Sequence, residues 1–413
     1  MKEALRPIVD KASIHELTTR AISEIYPSPD ALEKELQSGK RLTAYLGIDP
    51  TSPDLHVGHV SQLLKLRHLQ KLNHRVILLI GDFTAMVGDP SDKTAARVKL
   101  SRKEVLANAA GYKQQASKIL NFNDPNNPAE LRFNSEWLSK MGFEDVLELT
   151  SEVTVQQMLE RDMFQKRLSG NKPISLHEFL YPIMQGKDSL AMEVDIEVGG
   201  SDQIFNMLVG STFVKRHLNK QKYVIAGQLL VDPSGKKIGK TEGNMITLND
   251  SSLNMFHKIM LWGDDITPHA LELCSELPMS EIENIKHKLS VGELSGKDGK
   301  MFLAETIVRK LHGASNTEQA RREYLDLTKK GSSPVVTSLK TVDVTESQNI
   351  IDILVKSGLA TSNSAARRLI EAGGVRINNL TIGTDWIAPL TAEELILQVG
   401  KKLHSNYRLL NIK

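Results

Sequence analysis

The sequence predicts an α/β protein built on a parallel β-sheet, with additional helical and C-terminal parts. Residues 43–48 (TAYLGI) and 75–80 (RVILLI) are short, mainly apolar runs of the kind found in buried parallel strands. A helical pattern follows the first run, and two further strand-like runs end near residues 200 and 231, with a helical segment between them. Strands that alternate with helices at this spacing predict a Rossmann-type sheet.

The other segments divide the chain into predicted parts. Residues 1–42 have helical patterns, and the second helix is predicted to begin at Ser28-Pro29, because Pro favours the first helical position. Residues 98–175 are predicted to be a mostly helical insertion, since their apolar residues recur with a helical period. The predicted parts, in order, are a catalytic domain at residues 1–248 that contains this insertion, a helical domain at 249–330, a linker at 331–348 and a small module at 349–413.

Composition narrows the class of protein. The 413 residues carry a formal net charge of +2, so a nucleic-acid partner would have to be bound by local basic patches. Cys274 is the only cysteine, which excludes intramolecular disulfides and multi-cysteine zinc sites and fits a reducing cytosol. No run of 18 apolar residues is present and the N-terminus lacks the apolar segment of a secretory signal, so we expect a cytoplasmic protein without a membrane span.

The most informative stretch is residues 43–72, in which a strand passes through a tight turn into a helix. Asp54 lies where a helix N-cap is expected, and the helix is predicted to begin near His56. A turn of this kind presents free N–H groups to an anion. His56 and His59 are three residues apart, so both can donate to one phosphate chain. A pair of surface histidines and a metal-binding pair are the alternatives, although no third metal ligand is evident nearby.

A second segment, residues 231–241 (VDPSGKKIGKT), is a loop rich in glycine and lysine. HVGH at residues 56–59 resembles the HIGH signature of class I aminoacyl-tRNA synthetases, and KIGKT at residues 237–241 resembles their KMSKS loop. HVGH has Val in place of Ile, and KIGKT keeps both lysines but has Ile-Gly for Met-Ser and Thr for the last Ser. Three further motifs resemble the tyrosine branch of that family: GDPSDK (88–93), YPIMQGKDS (181–189) and VGGSDQ (198–203).

The resemblance implies adenylate formation, in which the tyrosine carboxylate attacks the α-phosphate of ATP and pyrophosphate leaves. The two histidines would contact the phosphates, the two lysines of KIGKT would close over them, and two cations after GDPSD match a second loop that reaches the pyrophosphate. The residues that the resemblance assigns to catalysis are His56, His59, Lys237, Lys240, Lys93 and Arg97. Those that it assigns to ATP and the adenylate are Gly47, Asp49, His56, His59, Gly200, Asp202, Gln203, Lys240 and Thr241.

The same resemblance implies a tyrosine pocket beside this site. A phenol needs an acceptor for its O–H and a donor for its lone pairs, whereas an ammonium group needs acceptors only. Tyr45 and Asp188 match the family residues that hold the phenol, and Asp89, Tyr181 and Gln185 match those that hold the ammonium. Tyr181, Gln185 and Asp188 follow at i, i+4 and i+7, so one helix can present all three to one cavity. A polar stripe that faces water is the alternative.

The resemblance also implies cofactors and partners. ATP would enter with Mg²⁺ as a substrate complex, without a tightly bound metal or organic cofactor. In the family the insertion contributes to a dimer interface, so a homodimer is expected, with L-tyrosine and tRNA(Tyr) as the other partners. Residues 349–413 resemble an S4-type RNA-binding domain, in which Arg367, Arg368 and Arg376 are placed to contact phosphates.

Three other functions fit parts of the pattern. A tryptophanyl-tRNA synthetase would share the fold, but Tyr45, Asp188 and the S4-like module argue against it. A small-molecule nucleotidylyltransferase would share HxGH, but the lysine-rich loop and the C-terminal module argue against that. A catalytically silent RNA-binding homologue would have no need to keep both histidines and both lysines.

Overall fold

A computed structural model of the chain describes residues 5–89, 100–231, 245–328, 341–345, 348–378, 380–388, 395–400 and 407–412. The chain divides into two compact units, one of residues 1–249 and 265–293 and the other of residues 250–264 and 294–413. This division cuts through the helical domain predicted at residues 249–330, because residues 265–293 belong to the first unit. Within the described ranges, none of the helices is long and apolar enough to cross a membrane.

The secondary structure alternates as the sequence predicts. The strands are β1 (Ile22–Tyr26), β2 (Thr43–Ile48), β3 (Arg75–Ile80), β4 (Glu130–Phe133), β5 (Ile196–Gly200), β6 (Tyr223–Gly227), β7 (Thr341–Val344), β8 (Val375–Ile377), β9 (Leu380–Thr381), β10 (Leu395–Val399) and β11 (Tyr407–Ile412). The helices of the first part of the chain are α1 (Lys11–Thr19), α2 (Pro29–Gln37), α3 (Val60–Lys71), α4 (Thr84–Val87), α5 (Arg102–Ala109), α6 (Tyr112–Ala116), α7 (Ser135–Leu138), α8 (Phe143–Ser151), α9 (Val155–Leu159), α10 (Asp162–Ser169), α11 (Leu180–Ala191) and α12 (Ile204–Leu218). The later helices are α13 (Ser252–Met260), α14 (Thr267–Cys274), α15 (Met279–Ser290), α16 (Gly296–His312), α17 (Ala314–Thr328), α18 (Ile350–Lys356) and α19 (Asn363–Glu371).

The first unit is organised around a sheet with the strand order β1-β6-β5-β2-β3-β4. All neighbouring strands are parallel except β1 and β6. The register pairs Ile48 with Ile80 and Leu46 with Val198, so the carboxyl ends of β2, β3 and β5 meet at one edge. The predicted Rossmann-type sheet is confirmed, and strands β2 and β3 have the predicted bounds.

The two edge strands were not predicted. β1 lies within residues 1–42, for which only helices were expected, and β4 lies within the predicted helical insertion. In β1 only Ile25 is buried, and every residue of β4 is partly exposed, so neither strand has the apolar run that identifies a buried strand. The sheet therefore has an antiparallel strand, β1, at one edge and an additional parallel strand, β4, at the other.

The start of α3 also differs from the prediction. A 3₁₀ turn at Val57–His59 precedes the helix, and the N-cap of this turn is His56 rather than the predicted Asp54. The Nδ1 atom of His56 accepts a hydrogen bond from the Gly58 N–H at 3.2 Å, the role that an Asp carboxylate usually plays at an N-cap. The Asp54 carboxylate instead accepts from Asn249 Nδ2 at 2.5 Å.

The second unit contains a helical group and a C-terminal module. Helices α13, α16 and α17 pack against one another. The module has a sheet with the order β7-β11-β10-β8-β9, covered by α18 and α19, and its apolar core runs from Val344 to Leu410. β7 pairs with β11, so the module begins by residue 341, and the predicted linker at 331–348 is too long at its C-terminal end.

Candidate active site

A cavity opens at the carboxyl edge of the sheet in the first unit. The sequence-predicted residues that line it are Tyr45, Gly47, Asp49, His56, His59, Asp89, Tyr181, Gln185, Asp188, Gly200, Asp202 and Gln203. The structure thus brings together every predicted site residue of this unit that it describes. The remaining predicted residues, Lys93, Arg97, Lys237, Lys240 and Thr241, lie outside the described residues.

The two histidines at the start of α3 have defined tautomers. His56 Nδ1 accepts from the Gly58 N–H at 3.2 Å, and His59 Nδ1 accepts from the backbone N–H of His56 at 3.1 Å. A neutral imidazole that accepts at Nδ1 carries its proton on Nε2. The two rings, with centroids 3.9 Å apart, therefore supply two neighbouring N–H donors beside a helix N-terminus. Such an arrangement suits a phosphate chain.

Residues on both sides of the lysine-rich segment 232–244 lie at this cavity. Leu229 and Leu230, which follow β6, line it. After the segment, residues 246–248 pair with residues 55–57 through backbone hydrogen bonds of 2.8 and 2.9 Å. The described residues that precede this segment therefore lie at the cavity, and those that follow it lie beside HVGH, which is where phosphate-binding lysines would be needed.

Asp49 follows β2 and joins two other elements. Its Oδ1 accepts from Thr84 Oγ1 at 2.7 Å, and its Oδ2 accepts from the Tyr181 hydroxyl at 2.9 Å. A Cβ atom at Gly81 would collide with Asp49 and Thr84, so only glycine fits this approach. Asp49 therefore orients Tyr181 of α11, in addition to lining the crevice as predicted.

Tyr45 and Asp188 are the most deeply buried of the predicted ligands, at 1% and 3% exposure. Asp188 Oδ1 accepts from Trp137 Nε1–H at 2.7 Å, and its Oδ2 accepts from Asn134 Nδ2 at 3.3 Å. Burial raises the pKa of Asp188 well above its ordinary value, and these two hydrogen bonds oppose the rise. Burial also raises the pKa of Tyr45, whose phenol therefore keeps its proton.

A buried carboxylate on β5, Glu197, lies behind this part of the cavity and also lines it. Its Oε1 accepts from Gln185 Nε2 at 2.9 Å, and its Oε2 accepts from Ser189 Oγ at 3.3 Å and from Lys222 Nζ. The Ser189 Oγ also lies 3.1 Å from the hydroxyl oxygen of Tyr45, and either hydroxyl can donate in this hydrogen bond. Tyr45 and Gln185 thus belong to one hydrogen-bonded network.

The helical insertion contributes a cation to the edge of the site. Asp89 accepts from Gln203 Nε2 at 2.6 Å, and Arg161 Nη2 lies 3.8 Å from Asp89 Oδ1. The guanidinium carbon of Arg161 is 5.4 Å from the ring centroid of Phe164 and 5.2 Å from that of Phe205. Burial lowers the pKa of Arg161, and the Asp89 carboxylate opposes this. Asp89 is therefore held between an amide and a buried cation.

Sequence reasoning missed several members of this site, namely Thr84, Asn134, Trp137, Arg161, Ser189, Glu197 and Lys222. One signal was available: Glu197 stands directly before the VGG of the predicted strand MEVDIEVGG, and a carboxylate that is buried there needs a partner. The others come from distant segments whose local patterns carry no mark of their contacts.

Two further features concern other ligands. In the part of the chain that the structure describes, no three His, Cys, Asp or Glu side chains are grouped to hold a metal ion. In the C-terminal module, Arg367 and Arg368 are exposed on α19, whose N-cap is Ser362, and Arg376 is exposed on β8. Their exposure leaves these guanidinium groups accessible to phosphates.

Comparisons with known proteins cover almost the whole chain. Residues 37–327 match the family model of class I tRNA synthetases (W and Y), and residues 334–404 match that of the tyrosine–tRNA ligase SYY-like C-terminal domain. The chain is 40% identical over 384 residues to tyrosine–tRNA ligase 2 of Vibrio parahaemolyticus, covering 93% of this chain and 95% of that protein. It is 39% identical over 384 residues to the tyrosine–tRNA ligase of Thermotoga maritima, covering 93% and 94%.

Solved structures show the same fold at lower identity. A C-terminally truncated mitochondrial tyrosyl-tRNA synthetase from Aspergillus nidulans superposes with a TM-score of 0.65 at 24% identity, covering 77% of this chain and 93% of that one. A tyrosyl-tRNA synthetase from Archaeoglobus fulgidus, complexed with L-tyrosine, superposes with a TM-score of 0.58 at 18% identity, covering 76% and 99%.

Proposed function

The chain belongs to the tyrosine–tRNA ligases, a branch of the class I tRNA synthetases, and we propose that the cavity of its first unit is where tyrosine and ATP react. The chain is an aminoacyl-tRNA ligase: it activates L-tyrosine with ATP to tyrosyl-adenylate and pyrophosphate, and then transfers tyrosine to the 3′ end of tRNA(Tyr). The residue roles that follow are proposals that rest on the geometry of the cavity.

The activation step requires alignment rather than a general base. The tyrosine carboxylate is ionised at neutral pH and can attack the α-phosphorus directly. The bond from the α-phosphorus to the bridging oxygen then breaks, and pyrophosphate leaves with the electron pair. The cavity must hold the carboxylate in line with this bond and stabilise the charge that grows on pyrophosphate.

The tyrosine side chain is proposed to enter between β2 and α11. Tyr45 and Asp188 would hold the phenol, and the hydrogen bonds to Asp188 from Trp137 and Asn134 fix the position of its carboxylate. Because both groups are buried, a phenylalanine ring would displace water from them without replacing its hydrogen bonds, which disfavours its binding.

The ammonium group is proposed to meet three oxygen acceptors. Tyr181 and Gln185 are one helical turn apart on α11, and Asp89 lies across the cavity that all three line. An ammonium group has donors only, so a phenol oxygen, an amide oxygen and a carboxylate match its chemistry.

ATP is proposed to lie along the turn after β2, with its phosphates at the start of α3. The Nε2–H groups of His56 and His59 would donate to the phosphates, and Asp202 and Gln203 would hold the ribose and adenylate. Lys237 and Lys240 on one segment, with Lys93 and Arg97 on another, would supply further positive charge. Mg²⁺ would arrive bound to ATP, since magnesium usually binds through substrate phosphates rather than an all-protein cage.

One observation carries these assignments. Tyr45, His56, Asp89, Gln185 and the other predicted ligands of the first unit that the structure describes come from separate segments of the chain, and they all line one cavity. The test is pyrophosphate exchange into ATP by the full chain, with tyrosine, with tryptophan and without an amino acid. We expect exchange with tyrosine alone; exchange with tryptophan, or none at all, would contradict the assignments.

We also propose a homodimer that forms through the helical insertion. Residues 143–176 carry exposed large apolar side chains at Phe143, Leu147, Val155, Leu168 and Leu176. A second copy of the chain would cover them, because isolated surface residues are common but a concentration of this kind marks an interface. Phe143→Glu should shift the chain towards monomer in sedimentation, whereas Val291→Glu, at another exposed apolar position, should not.

The C-terminal module is proposed to bind tRNA and to supply no catalytic group. Its apolar core is formed by its own residues, so a chain that ends at Ser338 should keep a folded first unit. That chain should retain tyrosine-dependent pyrophosphate exchange and lose efficient tRNA charging; equal loss of both would contradict the proposal. Arg367→Ala with Arg368→Ala should make tRNA binding less salt-dependent. We further propose a cytoplasmic location, which is consistent with the single buried thiol of Cys274.

A further inference from the structure

The buried carboxylate of Glu197 has no assigned role, yet it contacts the residue proposed to bind the substrate ammonium. Glu197 is 2% exposed and accepts from Gln185 Nε2 at 2.9 Å. Its other oxygen accepts from Ser189 and from the ammonium of Lys222, which is 1% exposed. A buried ion pair of this kind contributes little net stability compared with apolar residues of the same size. The presence of this ion pair beside the ligand pocket therefore calls for another explanation.

Glu197 determines which end of the Gln185 amide faces the cavity. An amide can present either its NH₂ or its oxygen to a neighbour, whereas a carboxylate accepts hydrogen bonds only. With Glu197 behind it, Gln185 must turn its NH₂ away from the ligand, and its Oε1 is then left for the cavity. The substrate ammonium requires an oxygen at this position, because an ammonium and an amide NH₂ are both donors and cannot hydrogen-bond to each other.

Lys222 keeps the carboxylate in place. Its Nζ donates to Glu197 and, at 2.8 Å, to the backbone oxygen of Met207. A Cβ atom at Gly210 would lie 2.7 Å from Lys222 Nζ and 2.7 Å from Ser189 Oγ, so the absence of a side chain at Gly210 makes room for this cluster. Burial lowers the pKa of Lys222, and the charge of Glu197 opposes that effect.

We propose that Glu197, paired with Lys222, is a positioning residue that turns the carbonyl oxygen of Gln185 towards the substrate ammonium. This inference rests on the proposed role of Gln185 in tyrosine binding. In Glu197→Gln the neighbour is itself an amide, which can donate as well as accept, so Gln185 is free to turn. The variant nearly preserves the volume and removes the constraint on direction, and it also leaves the charge of Lys222 without its carboxylate, an effect that the second test below separates.

The first test compares two inhibitors of tyrosine-dependent pyrophosphate exchange by the full chain. Tyrosinol keeps the ammonium and the phenol, whereas 3-(4-hydroxyphenyl)propanoate keeps the phenol and lacks the ammonium. Glu197→Gln should weaken the binding of tyrosinol and raise the KM for tyrosine, each by about tenfold. The binding of 3-(4-hydroxyphenyl)propanoate and the value of kcat should change much less. An equal loss of binding for the two inhibitors would overturn the inference.

The second test separates positioning from folding stability. Glu197→Gln with Lys222→Met removes both charges, so its Tm should recover towards that of the parent chain, while the KM for tyrosine stays raised. Recovery of both quantities would mean that the pair acts only through stability. Glu178→Gln is the matched control, because it removes a carboxylate from a buried pair with Arg167 that does not line the cavity. It should lower Tm and leave KM unchanged.

These outcomes distinguish this inference from the proposed function. If the parent chain shows no tyrosine-dependent exchange, the proposed function fails. If the parent is active and Glu197→Gln binds tyrosinol as tightly as the parent does, only the role of Glu197 is wrong.

Discussion

The two ends of the cavity are built in different ways. At the tyrosine end, the side chains proposed to bind the ligand are already hydrogen-bonded to neighbours, as Asp188 is to the half-buried Trp137 and Gln185 is to the buried Glu197. At the histidine end, the donors are two imidazoles beside a helix N-terminus, and Asp89, Leu229 and Leu230, which line the same cavity, precede sequence segments that carry further cations. The first arrangement suits recognition of a neutral phenol and an ammonium. The second suits charge that appears only as pyrophosphate leaves.

This contrast predicts that changes at the two ends will have different kinetic effects. Loss of a contact that is equal in the ground state and the transition state raises KM, whereas loss of a contact made only in the transition state lowers kcat. The cavity therefore offers its own internal comparison, in which each end serves as the control for the other.

The largest effect is expected at His56. His56→Asn keeps an N-cap acceptor for the start of α3 and removes the Nε2–H donor. We expect kcat for adenylate formation to fall about a hundredfold, as for loss of a donor to developing charge. Single-turnover kinetics with the tyrosine KM measured in parallel would check this. His68→Asn, which lies on α3 outside the cavity, is the control. A variant at His56 that lost tyrosine affinity but kept its rate would remove the distinction between the two ends.

A smaller effect is expected at Asp188. Asp188→Ala removes the charged acceptor proposed for the substrate phenol O–H, which Trp137 and Asn134 hold in place, at a cost of about 2 kcal/mol, or roughly thirtyfold in kcat/KM for tyrosine. The loss for phenylalanine as substrate should be smaller, because phenylalanine has no phenol to bind. Pyrophosphate exchange with both amino acids is the measurement. An equal loss for both would show that Asp188 only supports the fold.

The sequence predicted the strands and the helix that carry the cavity residues better than it predicted the contacts of those residues with the rest of the fold. The bounds of strands β2 and β3 follow from local patterns, and helical spacing shows that Tyr181, Gln185 and Asp188 can share one face, although their assignment to the site came from the family resemblance. The partners of those side chains do not follow, since Trp137 and Glu197 reach the cavity only through the long-range pairing of the sheet. The edge strands β1 and β4 were missed for a related reason: partly exposed strands have no apolar run.

A more modest effect is expected at Tyr45. Tyr45→Phe removes one hydroxyl, which Ser189 and the substrate phenol would share, at about 1 kcal/mol, or roughly fivefold in preference for tyrosine over phenylalanine. Competition between the two amino acids in one exchange assay would measure the preference. An unchanged preference would mean that Asp188 alone recognises the phenol.

The smallest effect is a shift in pH dependence at the tyrosine end. Burial raises the pKa of Asp188, and the Trp137 hydrogen bond opposes this rise. Because the ionised carboxylate is the proposed acceptor of the phenol O–H, kcat/KM for tyrosine should increase as pH rises through the pKa of Asp188. Trp137→Phe removes the opposing hydrogen bond, so this limb should move to higher pH. The profile for phenylalanine, which needs no acceptor, should not move, and a shift in both profiles would count against Asp188 as the titrating group.

The C-terminal module has a consequence for how such an enzyme can change over evolutionary time. Its core, from Val344 to Leu410, is made of its own strands β7, β8, β10 and β11 with helices α18 and α19, and the residues of the tyrosine pocket take no part in it. If the module binds tRNA as proposed, a module closed in this way can be exchanged for another RNA-binding domain without a change in the residues of the proposed catalytic cavity. Selection can then act on the choice of tRNA and on the choice of amino acid as two separate traits carried by one chain.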